Sequence, residues 1–102
     1  MADVMEWEQR LDDEDAPVYP IGVVAELLHV SVQVIRRYDE PDMVAPNRSD
    51  GGQRRYSRRD IARLSRILQL SEEGISAAGI RRILALEEEL RSVKEEGADG
   101  RP

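Results

Sequence analysis

Cysteine is missing from this 102-residue chain, and histidine occurs once. Without thiols the chain has no disulfide framework, no thiolate metal site and no cysteine nucleophile. One histidine leaves few routes to general-base catalysis, so we expect no enzyme, no metal and no cofactor. The chain also lacks the run of about 18 apolar residues that spans a membrane. Its acidic N-terminus has no basic and apolar signal regions, so the default location is the cytoplasm.

The charges are numerous and unevenly distributed. The 15 basic and 21 acidic residues give a net charge of −6. Residues 1–16 hold seven acids and one arginine, residues 17–71 hold six acids and nine arginines, and residues 72–102 are acidic again. The acidic total argues against nucleic acid, but affinity for a polyanion depends on the local face. Arginine is suited to bidentate contacts with phosphate and guanine, so the cationic middle is the candidate binding region.

Two short helices with a tight connection are predicted in the first half of the chain. Apolar residues recur at i, i+3, i+4 and i+7 over residues 21–28, which is one face of a two-turn helix. His29 follows as a surface residue in the connector. Ser31 is a suitable N-cap for a second helix from Val32 to about Asp39, which Pro41 ends. This is the layout of a helix-turn-helix.

A hairpin and two longer helices are predicted next. An Asp-Gly-Gly turn at residues 50–52 precedes a return strand at residues 54–56, and a hairpin in this position is a wing. Ser57 and Asp60 form a capping-box variant at the start of the third helix, which Gly74 ends. Ser76 caps a fourth helix with a coiled-coil-like apolar spacing. The residues of this seam are Ile80, Ile83, Leu86, Leu90 and Val93.

The predicted fold class is therefore mostly α, a winged helix-turn-helix with two further helices, the last a short dimerisation helix. We divide the chain into an acidic flexible tail (1–17), the winged helix-turn-helix domain (18–75), the dimerisation helix (76–96) and a disordered tail (97–102). Trp7 and Leu11, four residues apart, leave a short amphipathic helix in the first tail as an alternative.

Three blocks of sequence resemble the N-terminal DNA-binding domain of the MerR superfamily: IGVVAELLHVSVQVIRRYDE, PNRSDGGQRRYSRRDIARLSRI and EEGISAAGIRRIL. They follow one another in the family's order over about residues 18–90. Arg-Arg-Tyr-Ser after the glycine-rich wing and Tyr-Asp after the recognition helix are most similar to the HspR-type heat-shock repressors. The resemblance implies a homodimer on an inverted repeat. Residues 40–43, Glu-Pro-Asp-Met, depart from the family's glycine and leucine.

The candidate DNA-binding residues lie on the second helix, the wing and the start of the third helix. The resemblance transfers DNA contacts to residues 36–38 and 54–56. From the residues alone, Gln33 reads adenine or is solvated, and one of Arg54 and Arg55 faces the duplex because strand residues alternate. Each tyrosine contacts phosphate or packs. The full set is Gln33, Arg36, Arg37, Tyr38, Arg48, Arg54, Arg55, Tyr56 and Arg58.

The predicted function is sequence-specific DNA binding that represses heat-shock or chaperone genes. The partners are double-stranded DNA, a second copy in a dimer that is weak or needs DNA to form, and, by the HspR resemblance, the chaperone DnaK as co-repressor. One alternative is a chaperone modulator on the same scaffold that binds a J-domain co-chaperone and no DNA, which the net charge favours. A DNA-architecture factor of the excisionase type is another. Cations on both the second helix and the wing favour the DNA-binding regulator.

Overall fold

The computed structural model describes residues 13–99, with side chains to residue 95. This part of the chain contains four helices and three short strands. They are β1 (Tyr19–Pro20), α1 (Ile21–Leu28), α2 (Val32–Arg36), β2 (Asn47–Arg48), β3 (Arg54–Tyr56), α3 (Arg58–Glu72) and α4 (Ala77–Asp99). Two short helices, a hairpin and two longer helices confirm the predicted mostly α, winged helix-turn-helix class. The alternative helix with Trp7 and Leu11 lies outside the described residues.

His29 builds the turn between α1 and α2. Its backbone lies in the left-handed region, with φ of 57°. The His29 N–H donates to the Glu26 carbonyl at 3.3 Å, and the Val30 N–H donates to the Ala25 carbonyl at 3.1 Å. This pair of bonds closes the end of a helix and reverses the chain. The side chain is exposed, as predicted.

Replacing His29 by glycine is expected to raise the free energy of unfolding by about 1 kcal/mol, because a side chain disfavours the left-handed region. Little packing is lost, since the ring is exposed. Urea unfolding measures the change. His29→Val should instead lower the free energy of unfolding, because a β-branched residue is poorly tolerated at positive φ. A glycine variant less stable than the wild type would contradict the assignment.

A three-stranded antiparallel sheet joins the wing to the residues before α1. Tyr19 of β1 lies opposite Tyr56 of β3, and Asn47 of β2 lies opposite Arg55 of β3. The sequence patterns did not predict that the residues before α1 pair with the wing. Pro20 is accommodated because β1 is an edge strand, where a missing N–H leaves the ladder intact.

The two ends of α3 follow the predicted signals. The Asp60 N–H donates to Ser57 Oγ at 3.0 Å, and the Ser57 N–H donates to Asp60 Oδ2 at 2.9 Å. These reciprocal bonds confirm the capping box. After the helix, Gly74 has φ of 86°, and the Ile75 N–H donates to the Leu70 carbonyl at 3.2 Å. Gly74 is therefore the left-handed residue that ends the helix, as predicted.

The chain packs as two compact units, which divide between Arg66 and Ile67. The predicted boundary lay after residue 75. That boundary separates a DNA-binding region from a dimerisation helix by function, and it stays a prediction beside this division by packing. The buried apolar and aromatic residues of the first unit are Val24, Ala25, Ile35, Tyr38, Met43, Val44, Tyr56 and Leu64. Those of the second unit are Ile67, Leu70, Ile80 and Leu84.

Helix α4 continues to Asp99, through Gly97 and beyond the predicted end at residue 96. One glycine inside a helix costs about 1 kcal/mol relative to alanine, which does not stop a helix with residues on both sides. Residues 97–99 are therefore helical and not part of a disordered tail. Within residues 13–99, no helix is both long and apolar enough to cross a membrane.

Candidate nucleic-acid interface

Helix α2 is short and presents a polar face. Ser31 caps it, accepting a hydrogen bond from the Val34 N–H at 3.3 Å, as predicted. Ile35 points into the core of the first unit and is buried. Gln33 and Arg36 are exposed, and they lie three residues apart on one face of the helix. Both are thus accessible to a large partner such as a DNA duplex.

The helix ends earlier than predicted, at Arg36 instead of about Asp39. The N–H groups of Tyr38 and Asp39 donate to carbonyls three residues back, at 3.0 and 3.1 Å, so tight turns replace the helix. The Tyr38 carbonyl then accepts from the Val44 N–H at 3.2 Å. Pro41 does not end the helix; these turns do, before it is reached. Arg37 lies in the first turn and is exposed.

The wing is closed by backbone bonds across its loop. The Ser49 N–H donates to the Gln53 carbonyl at 2.7 Å, and the Gly52 N–H donates to the Ser49 carbonyl at 2.8 Å. Gly52 has φ of 81°, a conformation that glycine adopts without steric cost. The predicted Asp-Gly-Gly turn is confirmed, and it directs β3 back along β2.

Asp39, in the turn that follows α2, contacts the wing. Its Oδ2 accepts from Arg54 Nε at 2.6 Å and lies 3.9 Å from a terminal nitrogen of Arg48. Asp39 thereby connects the turn after α2 to both strands of the wing. Sequence reasoning missed Asp39, because the sequence gives no signal that it faces β2 and β3.

The remaining predicted cations of the candidate set lie on the wing and at the start of α3. Arg55 is half-buried, and its terminal nitrogen donates to the Arg54 carbonyl at 3.4 Å. Arg58 is exposed at the first position of α3, and Arg48 is largely exposed on the wing. Arg54 and Arg55 are both half-buried, and which of them faces a duplex stays a prediction.

One predicted DNA contact, that of Tyr56, is contradicted by burial. Tyr56 is 1% exposed and its hydroxyl is buried, so it packs in the first unit and presents no hydroxyl to a duplex. Tyr38 is 9% exposed and packs largely in the same unit, and its contact with phosphate stays a prediction. Tyr56 points inward because it belongs to the central strand, covered on its inner face by the helices. Among the described residues, the buried Tyr56 hydroxyl has no hydrogen-bond partner. Burial, and then the negative charge of Asp39, raises the pKa of this hydroxyl above 10.0.

Tyr56→Phe is expected to leave the fold intact and to raise the free energy of unfolding by about 1 kcal/mol, since it removes a buried polar group without a partner. The raised pKa adds a pH dependence. The contribution of Tyr56 to wild-type stability is constant below about pH 10 and falls as the pH rises from there, because the unfolded chain loses the tyrosine proton first. Thermal unfolding of both proteins from pH 8 to 11 measures this. If the stabilities of the wild type and Tyr56→Phe changed with pH in parallel, the raised pKa of Tyr56 would be contradicted.

The end of the acidic N-terminal segment is docked and not flexible. The Arg59 guanidinium binds Glu14 at 3.1 Å and Asp15 at 2.7 Å, and the Arg59 N–H donates to the Glu14 carbonyl at 3.0 Å. The prediction of a flexible tail to residue 17 is therefore wrong for residues 13–17. Glu14 and Asp15 lie more than 40 residues from Arg59 in the sequence. Their opposite charges are the only sequence feature that favours this contact.

A second cation missed by sequence reasoning is Arg63 of α3. Its guanidinium donates to the carbonyls of Met43 and Asp42, in the loop that follows the recognition segment. Arginine fits this position because its planar group donates to two acceptors at once. The contact fixes the loop between α2 and the wing to α3. In residues 13–99, no group of histidine and acidic residues is arranged to hold a metal ion.

The predicted dimerisation seam on α4 has a buried start and an exposed end. Ile80 is 2% exposed and belongs to the core of the second unit, so its predicted role in dimerisation is contradicted. Ile83 is half-buried. Leu86, Leu90 and Val93 are exposed, and their spacing of four and three residues places them on one helical face. This exposed part of the seam is open to a partner.

A protein-family model described as "MerR HTH family regulatory protein" matches residues 19–87. The chain is 45% identical over 87 residues to a Streptomyces coelicolor protein named "Putative heat shock protein HspR", and the match covers 84% of this chain. It is 39% identical over 88 residues to the HTH-type transcriptional regulator GlnR of Bacillus anthracis, which covers 83% of this chain. The matches span 58% of the Streptomyces protein and 68% of GlnR.

Two solved structures are similar in fold. One is HiNmlR, a MerR family regulator lacking the sensor domain, bound to promoter DNA. It has a TM-score of 0.63 and 26% identity, and the match covers 79% of this chain and 67% of that one. The other is a MerR family transcriptional regulator from Bacillus cereus, with a TM-score of 0.60 and 26% identity, covering 78% of this chain and 64% of that one. GlnR and the Bacillus cereus protein are named as transcriptional regulators, and HiNmlR is named as a MerR family regulator.

Proposed function

Because the chain belongs to the MerR HTH family of regulatory proteins, we propose that it is a sequence-specific DNA-binding transcriptional regulator. The observation that carries the proposal is the exposed polar face of α2, with Gln33, Arg36 and Arg37 beside the wing. A helix in this position enters the major groove, where arginine bonds guanine and glutamine bonds adenine. The similarity to a regulator solved on promoter DNA supports the same mode of binding.

The regulator acts as a homodimer on an inverted repeat. The exposed part of the α4 seam, Leu86, Leu90 and Val93, is the surface through which two copies pair. Two-fold symmetry then places two recognition helices about one DNA turn apart. The seam offers three exposed apolar residues, so pairing is weak without DNA and is strengthened when both copies bind one duplex. Its place of action is the cytoplasm, at the nucleoid.

The regulatory output is repression of heat-shock or chaperone genes, with DnaK as co-repressor. The similarity to a protein named as an HspR supports this role. Purified DnaK should increase the protein's affinity for its operator, and an unfolded substrate should reverse the effect by occupying the chaperone. A pulldown without DnaK, together with unchanged operator affinity, rules out this partner and leaves DNA binding untouched.

Gel-shift titration of the purified protein against the DNA upstream of its own gene tests the function. At two salt concentrations and with competitor DNA, we expect a specific complex whose affinity falls steeply as salt rises. Binding that competitor DNA abolishes, or no complex with or without DnaK, would reject the proposal. In that case the protein-binding chaperone modulator is the better candidate, and the net charge of −6 is the observation that favours it.

A further inference from the structure

The wing contains two arginines that face one another. Arg48 of β2 and Arg54 of β3 are cross-strand partners in the antiparallel register. Side chains in such a pair lie about 5 Å apart at their β-carbons and on the same face, so two like charges destabilise the hairpin. A counterion between them offsets this repulsion.

Asp39 supplies this counterion from outside the hairpin. One carboxylate oxygen, Oδ2, lies 2.6 Å from Arg54 Nε and 3.9 Å from a terminal nitrogen of Arg48. The side chains of Arg54 and Asp39 are only 23% and 17% exposed, so solvent screens their attraction less than that of a surface pair. Arg48 also donates to the carbonyl of Gly52 at 3.2 Å, which extends the connection to the wing's loop.

The contact links the two elements that read DNA. Asp39 lies three residues beyond Arg36, the end of α2, and Arg54 begins β3. The ion pair is therefore a direct connection between the turn after α2 and the wing. Arg54 donates its Nε–H to Asp39, so this donor is occupied inside the protein.

We propose that Asp39 is a positioning residue, which holds the wing at a fixed distance from α2 so that both elements meet the same DNA half-site. The inference rests on the proposed function and adds a determinant of specificity to it. Asp39 contacts no DNA. It acts through Arg54 and Arg48, and its ion pair with Arg54 is retained when DNA is bound. Preorganisation of this kind increases affinity by reducing the ordering cost of binding.

The sign of the effect of Asp39→Asn on DNA binding tests the proposal. Loss of an acidic residue beside the duplex raises affinity for any DNA by charge alone. Loss of positioning lowers affinity for the correct duplex. We expect Asp39→Asn to bind the upstream duplex about tenfold more weakly. A scrambled duplex of equal length and composition should be bound as well as before or better.

Asp50→Asn is the matched control, because it removes one negative charge from the wing's turn and asparagine also suits a turn. It should change affinity for both duplexes alike. If Asp39→Asn behaves like Asp50→Asn, Asp39 contributes only charge and the proposal is overturned. Addition of Arg54→Gln to Asp39→Asn should cause no further loss of discrimination. A further loss would show that Arg54 contacts DNA independently of Asp39.

A measurement on the wild type covers the case in which Asp39→Asn fails to fold. The Arg54 Nε–H should give a slowly exchanging resonance in nuclear magnetic resonance spectra, and it should keep its shift when the upstream duplex is added. A shift to a phosphate-bound position would overturn the proposal. If the wild type binds both duplexes equally, the proposed function has failed. The slow exchange of Arg54 Nε–H in the protein alone still tests the link between α2 and the wing.

Discussion

Alanine at position 36 is expected to lower affinity for the operator about tenfold to hundredfold while the fold is retained. Arg36 is exposed on α2, so its removal leaves no cavity and no buried charge. A bidentate bond between arginine and guanine is worth about 1–3 kcal/mol of discrimination, which corresponds to this range. Fluorescence anisotropy with the operator and a scrambled duplex measures both affinities, and circular dichroism checks the fold.

The control is Arg82→Ala, which removes an exposed arginine from α4. Arg82→Ala changes the net charge by the same amount as Arg36→Ala. Its effect on operator affinity therefore measures the contribution of net charge alone, which we expect to be less than about threefold. Arg36→Ala should also relax specificity at one base position of the half-site. Equal affinities for Arg36→Ala and the wild type would mean that α2 is not the recognition helix.

Glutamate at position 90 is expected to separate the two copies and to lower operator affinity by about a hundredfold or more. Leu90 lies in the middle of the exposed part of the seam, and a charge there cannot be solvated between two paired helices. A single copy holds one half-site, so the gain from binding two linked half-sites, about 10²–10⁴, is lost. Sedimentation of the protein–duplex complex measures the number of copies bound.

Leu27→Glu is a closely matched control. Leu27 on α1 is 55% exposed and Leu90 is 56% exposed, so the two variants make the same change at the same accessibility. Two copies of Leu27→Glu should still bind one duplex, and only Leu90→Glu should bind as a single copy. Pairing through another surface would be indicated by Leu90→Glu forming the same two-copy complex as the wild type.

The parts of the fold that could be predicted depend on short-range chemistry. The reciprocal bonds of Ser57 and Asp60 act within four residues, as does the turn around Gly52. The positive φ of Gly74 is also a local property of a residue without a side chain. All the residues that form these caps and turns are neighbours in the sequence. The sequence therefore predicted correctly where the helix α3 begins and ends and where the wing turns.

The exposed face of α2 could also be predicted, since one buried residue, Ile35, fixes the orientation of its neighbours. Which of the exposed residues contact DNA stays a prediction, because exposure only permits a contact. Arg36 and Arg37 meet this condition and Tyr56 does not.

What could not be predicted are contacts between distant parts of the chain. The bond of Asp39 to Arg54 joins residues 15 apart, and that of Arg63 to Met43 joins residues 20 apart. Neither the ion pair nor the hydrogen bond to the Met43 carbonyl has a sequence spacing that distinguishes it from the other possible contacts. Leu84, buried in the second unit, was missed for a related reason. The apolar spacing of α4 fits a dimer seam and a protomer core equally well, and only the packing of the second unit separates them.

The sheet gives the helix-turn-helix a larger minimal unit than its name implies. β1 precedes the first helical residue and forms one of three strands, and the acids that bind Arg59 lie earlier still, at Glu14 and Asp15. A fragment cut at Ile21 would lose a third of the strands and would leave β3 as a new open edge. For transplantation into a chimeric regulator, the module therefore includes Glu14 and Asp15, and exchanging only the helices would separate them from the wing.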